Sequence, residues 1–205
     1  MQEMKPMEIE RKSFEIITSE LTIPLAAGTE DIVKRVIHAT ADFDYAENLV
    51  FSENAVKRAR DAISGGCDIV TDTEMAKSGI NKKILASFGG NVHCFVGNET
   101  VAREAERRGV TRSKVAMEHA AGLEKPCIFV IGNAPTALMS LLDLAEAGKV
   151  SPALVVGAPV GFVHVVESKE RLLASGIPYI VARGRKGGSN VAAAIVNALV
   201  YAIRR

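Results

Sequence analysis

The chain has 205 residues, long enough to bury a full core without disulfide or metal staples. Apolar residues make up 48% and charged residues 24%, which excludes a disordered or fibrous chain. The formal net charge of +1 excludes bulk attraction to nucleic acid or to a membrane surface, and the three widely spaced cysteines, none in a CxxC, argue against a disulfide framework or a zinc site.

The opening residues from Met1 to Pro6 carry no apolar signal region, and no apolar run approaches the ~18 residues of a membrane span, so the expected location is the cytoplasm. Met7 to Glu20 reads as a helix, with Ile9, Phe14, Ile16, Ile17 and Leu21 as a ragged apolar face. Thr29 stands as the N-cap of a second helix ending near Thr40, with Glu30 and Asp31 suiting the positive end of its dipole. Ile32, Val33, Val36 and Ile37 form its apolar stripe. Arg35 and His38, three residues apart, are surface neighbours at one edge of that stripe. Asp42, Asp44 and Tyr45 follow in a loop, and Leu49-Val-Phe51 is a short apolar patch. Ser52 reads as the N-cap of a third helix that stops at Gly65-Gly66.

From Cys67 the rhythm changes. Strands are expected at Cys67–Thr71, Asn91–Val96, Pro126–Ile131, Ala153–Gly157 and Ile177–Ala182. Helices are expected at Asp72–Ser78, Asn81–Phe88, Thr100–Arg108, Arg112–Ala121, Pro135–Ala147, Phe162–Ala174 and Ser189–Arg204. Strands alternating with helices imply parallel pairing through right-handed crossovers. The expected fold is a single domain over residues 1–205, a three-layer α/β/α sandwich on a five-stranded parallel sheet with extra N-terminal helices.

In such a sheet ligands sit beyond the carboxyl ends of the strands. Three loops there are rich in glycine: Gly132-Asn133-Ala-Pro135, Gly157-Ala-Pro-Val-Gly161, and Arg183-Gly-Arg185-Lys186-Gly187-Gly188-Ser189-Asn190. Each leads into a helix, whose free N–H groups and dipole favour an anion, and the last carries three cations. Together they point to an anionic ligand. They match neither the GxxxxGK[ST] phosphate loop nor GxGxxG after the first strand. There is no HExxH, no metal-ligand spacing and no GxSxG elbow. Asp72 and Glu74 fall at the same edge. Ser13 lies mid-helix beside Phe14, Arg112 opens a helix, and His93, His119 and His164 read as structural or surface residues.

Arg35-Val-Ile-His38-Ala, Asp72-Thr-Glu-Met75, Ile131-Gly-Asn-Ala-Pro-Thr-Ala-Leu138, Gly157-Ala-Pro-Val-Gly-Phe-Val163 with Glu167-Ser-Lys169, and Arg183-Gly-Arg-Lys-Gly-Gly-Ser189 occur together in this order. In that combination the chain resembles the precorrin-8X methylmutase family of cobalamin biosynthesis, also called cobalt-precorrin-8 methylmutases, over nearly its whole length. The resemblance implies a flavodoxin-like fold, a homodimer with its site near the subunit interface, and no external cofactor or protein-bound metal. It implies an isomerase that moves a methyl group from C-11 to C-12 of a corrin-type polycarboxylate, with or without cobalt, giving hydrogenobyrinate or cobyrinate. His38 takes the position of the histidine that assists by proton transfer, and Ser13, Arg35 and Arg112 take those of substrate contacts. Gly132, Asn133, Gly157, Gly161, Arg185, Lys186, Gly187, Gly188 and Ser189 complete the expected binding set. Arg35 is read as an anchor for a substrate carboxylate. A non-catalytic corrinoid carrier and, on the loops alone, a phosphosugar or nucleotide enzyme are the alternatives. The sequence assigns no role to Asp42, Asp44 or Tyr45.

Overall fold

The computed structural model describes residues 6–204; Arg205 and the stretch Met1 to Lys5, read above for a signal region, lie outside them. The chain opens with α1 (Pro6–Glu20), α2 (Glu30–Thr40), the single turn α3 (Tyr45–Asn48) and a short strand β1 (Leu49–Phe51). Then α4 (Ala55–Ser64) leads to β2 (Asp68–Thr71), the short helices α5 (Glu74–Gly79) and α6 (Lys82–Ser87), and β3 (Val92–Cys94). Next come α7 (Glu99–Arg108), α8 (Arg112–Ala120), β4 (Cys127–Ile131), α9 (Pro135–Glu146) and β5 (Leu154–Gly157). The chain closes with α10 (Val165–Leu173), β6 (Tyr179–Ala182) and α11 (Ser189–Arg204).

The sheet has six strands in the order β1-β6-β5-β4-β2-β3, not the expected five. Five are parallel, and β1 runs antiparallel to β6 with Leu49 opposite Ala182. Counted alone, the parallel strands lie in the order 2-1-3-4-5, so the order reverses between β2 and β4. β4 is buried on both faces. Its Ile128 and Val130 face a core closed by α2, α4, α6 and α11, and its Cys127, Phe129 and Ile131 face one closed by α7, α8, α9 and α10. The first helix, α1, lies outside α2 and contributes Ile17 to the first core.

The local departures have physical reasons. β1 is the patch 49–51, too short to show a period. Ser52 does not cap α4; its N–H donates to the Tyr179 carbonyl at 3.0 Å and its Oγ accepts from the Tyr179 N–H at 2.9 Å, clamping the edge strand. Asn54 stands before α4 instead. Thr29 precedes α2, but its Oγ1 donates back to the Ala26 carbonyl at 2.7 Å and caps nothing. The tenth helix starts at Val165 because His164 takes a left-handed φ of 57°. Phe162 and Val163, expected inside that helix, stand 82% and 73% exposed in the preceding loop. All three cysteines are free and buried; burial pushes the Cys67 thiol up to about 12 and that of Cys127 to about 11.

Candidate active site

The stripe of α2 is buried and leaves Arg35 and His38 on the side facing α1. His38 occupies the last turn of α2. Its imidazole is exposed, and it stacks on Phe14 of α1 with centroids 5.4 Å apart. Among the described residues the ring makes no hydrogen bond, so both nitrogens are open to a ligand. Arg35 is 17% exposed and held on three sides. Its Nη1 pairs with Glu10 at 2.6 Å, and its guanidinium lies 4.9 Å from the Phe14 ring and 5.3 Å from that of Tyr201. Ser13, next to Phe14, donates its hydroxyl to the Ile9 carbonyl at 2.9 Å. A groove of about 450 Å³ opens beside Arg35, walled by Glu10, Phe14, Thr18, Lys34 and Tyr201.

The loop after α2 has a definite task. Ala41 ends the helix with a left-handed φ of 52°, and Asp44 donates its N–H to Asp42 Oδ1 at 3.0 Å. Asp42 and Asp44 then both grip the Lys186 ammonium at 2.6 Å. The hydrogen bond from Lys186 holds the Asp42 carboxyl below its usual range, and the two carboxylates push the lysine up. Lys186 is therefore not a free cation but a tie between the end of α2 and the turn before α11. Tyr45 is a core residue, 4% exposed.

The glycine loops only partly fit an open anion site. At the carboxyl ends of β2 and β4, where strand order reverses, Asp72 fills the crevice. It is 3% exposed and accepts N–H groups from Gly132 at 2.8 Å, Asn133 at 2.9 Å and Ala134 at 2.7 Å. Burial raises its carboxyl above the usual range, against the pull of those donors. The expected N–H seat at Gly132 and Asn133 is thus occupied by the protein's own carboxylate. Gly157 has no room for a side chain: a Cβ there would meet Leu172 at 2.8 Å. Gly161 donates to the Arg185 carbonyl at 3.3 Å and Gly188 to that of Ala158 at 2.8 Å, so these N–H groups tie the two loops together. A Cβ on Gly187 would meet the Ala158 carbonyl oxygen at 2.3 Å. Ser189 is buried and hydrogen-bonds Thr73 at 2.7 Å. Arg185 remains exposed, its guanidinium 5.6 Å from the Phe162 ring.

Arg112 is exposed at the start of α8, in the layer on the other side of the sheet from His38. Two of the histidines outside the site are otherwise engaged. His93 bonds the buried Asp68 at 2.8 Å, and His119 lies against Phe95. No group of three or more His, Cys, Asp or Glu among the described residues is arranged to hold a metal ion.

Sequence reasoning missed Glu10 and quoted Lys169 only as part of a motif, without a role. Lys169 is 0% exposed and donates to the Gly184 carbonyl at 2.8 Å and the Lys186 carbonyl at 2.7 Å. Its signal was present: Val165, Ser168, Lys169 and Leu172 have the spacing of a buried helix face, and a lysine there has something inside to bind.

Comparison with known proteins agrees with this architecture. Residues 8–202 match a family model described as precorrin-8X methylmutase. The chain is 50% identical to the cobalt-precorrin-8 methylmutase of Salmonella typhimurium, over 98% of this chain and 97% of that one. It is 42% identical to the precorrin-8X methylmutase of Pseudomonas aeruginosa, over 93% of each. The crystal structure of a precorrin-8X methyl mutase from Thermus thermophilus matches with a TM-score of 0.87 at 37% identity, covering 96% of this chain and 97% of that chain.

Proposed function

The chain belongs to the precorrin-8X methylmutase family and is an isomerase of cobalamin biosynthesis; from that premise we propose that it moves a methyl group from C-11 to C-12 of its macrocycle with His38 as proton donor and acceptor. The observation that carries this reading is the His38 imidazole, fixed on one face by Phe14 and open at both nitrogens. A methyl shift within one molecule gains and loses no atoms. The protein has to orient the ring and polarise it, and a single proton delivered to the macrocycle and taken back can do that.

The substrate is a polycarboxylate, so cations set its position. Arg35 is bound by Glu10 through Nη1 alone and lines the groove. Arg185 is exposed beside the equally exposed Phe162, an aromatic and a guanidinium suited to a macrocycle edge and its carboxylate. Ser13, its hydroxyl proton already given to the Ile9 carbonyl, keeps an oxygen that can accept from the substrate. The protein works as a homodimer in the cytoplasm. Arg112 and His38 lie on opposite sides of the sheet within one subunit. The exposed pair Phe162 and Val163 is apolar surface for the dimer contact.

Adding precorrin-8X, or its cobalt form, to the purified protein and following the visible spectrum tests the reaction. Conversion to the hydrogenobyrinate or cobyrinate chromophore is the expected result. Tight binding without conversion would make the protein a corrinoid carrier instead.

A further inference from the structure

Lys169 is a buried cation without a carboxylate partner among the described residues. Burying such a charge is costly, and a methionine would fill the same face of α10 at no such cost. What the ammonium holds is the turn 183–188, through the carbonyls of Gly184 and Lys186. The same turn is clamped from the side, where Gly187 lies too close to the Ala158 and Pro159 carbonyls for any Cβ. On its outer side the turn presents Lys186 to Asp42 and Asp44. Those aspartates stand two and four residues beyond Thr40, the last residue of α2, in a loop braced by the Asp44 N–H to Asp42 bond.

We propose that Lys169 is a positioning residue for the His38 site: its buried ammonium fixes the turn 183–188, which sets Lys186 against Asp42 and Asp44 and so places the end of the helix that carries His38. Burial lowers the Lys169 ammonium to about 8, as expected for a charge supported by carbonyl dipoles alone. The relay explains why Asp42 and Asp44 follow the histidine, and why a lysine occupies a position that packing alone would give to an apolar residue.

The proposal rests on the assignment of His38 as the proton donor, and its test separates the two. Lys169→Met, Lys186→Met and their combination are made in the full chain. Turnover of precorrin-8X and binding of hydrogenobyrinate are measured, and the imidazole resonances of His38 are followed by NMR. Each single variant is expected to lose about tenfold or more in kcat, as for a displaced catalytic group. The double variant is expected to lose no more than about twofold beyond the worse single one, because both act along one path. Lys169→Gln, which keeps N–H donors without the charge, is expected to recover part of the loss. The His38 resonances should move in both single variants whether or not His38 transfers the proton. Unmoved resonances, multiplied kcat losses, or wild-type kcat in folded Lys169→Met would each overturn the relay. Failure of both Lys169→Met and Lys169→Gln to fold would also overturn it, by making Lys169 a residue of the fold alone.

Discussion

Two glycine-containing turns at the same edge of the sheet, 132–135 and 183–188, are opposite in construction. In the first, a buried aspartate takes the backbone N–H groups of Gly132, Asn133 and Ala134. In the second, a buried lysine takes the backbone carbonyls of Gly184 and Lys186. The first turn closes the crevice where doubly wound folds ordinarily bind ligands. The second leaves its carbonyls tied down and its cationic side chains outside. Glycine content signals close backbone approach in both. Which turn faces a ligand depends on which polar groups the protein has already satisfied.

The sharpest way to break this contrast is Asp72→Ala. It strands three donors at the start of α9 and should cost about 3 kcal/mol, read as a lowered urea midpoint. Unchanged stability would mean that the seat is not structural. Gly132→Ala brings a Cβ to 2.8 Å from the Ser189 backbone, where the two turns touch. It should cost about 2 kcal/mol through crowding. Gly184→Ala meets open space but keeps a φ of +79°, and should cost about 1 kcal/mol from that strain alone.

Asp68 supplies a contrast along a single strand. It stands at the start of β2, and Asp72 follows the end. Burial by itself would raise the Asp68 carboxyl, but the hydrogen bonds from His93 and Asn91 outweigh it and hold the group below its usual range. Its folded pKa therefore lies below the unfolded value of about 3.9, so its contribution is present above that pH and lost as pH falls through the folded value. Asp68→Asn should cost about 1.5 kcal/mol at neutral pH and flatten the acid limb of the stability curve. An acid limb as steep as wild type would assign the pH dependence elsewhere. The smallest stability effect belongs to Lys186→Met. Its ion pairs are half exposed, so thermal unfolding should hardly change while activity falls.

The alternation of strands and helices was legible because each parallel strand carries its own apolar run and each helix its own stops. The edge strand at 49–51 was not, since three residues show no period and its partner is far along the chain. Phe162 and Val163 read as helix interior because apolar residues beside an apolar stripe ordinarily are; the left-handed His164 keeps them out. On α2, Arg35 and His38 were legible as an unusual edge to a stripe. The use of Asp42 and Asp44 was not, because Lys186 is 144 and 142 residues away. Arg35 was read as a carboxylate anchor; that Glu10 also pairs with it from a neighbouring helix is a contact that no local pattern announces.

The central claim is that His38 performs the chemistry while the cations around it perform the binding. Single-turnover conversion of precorrin-8X by His38→Ala, with hydrogenobyrinate affinity measured on the same protein, tests it directly. The account predicts conversion slowed by about 100-fold or more, with affinity within about threefold of wild type. Conversion within about tenfold of wild type would contradict it and assign the proton transfer to another group.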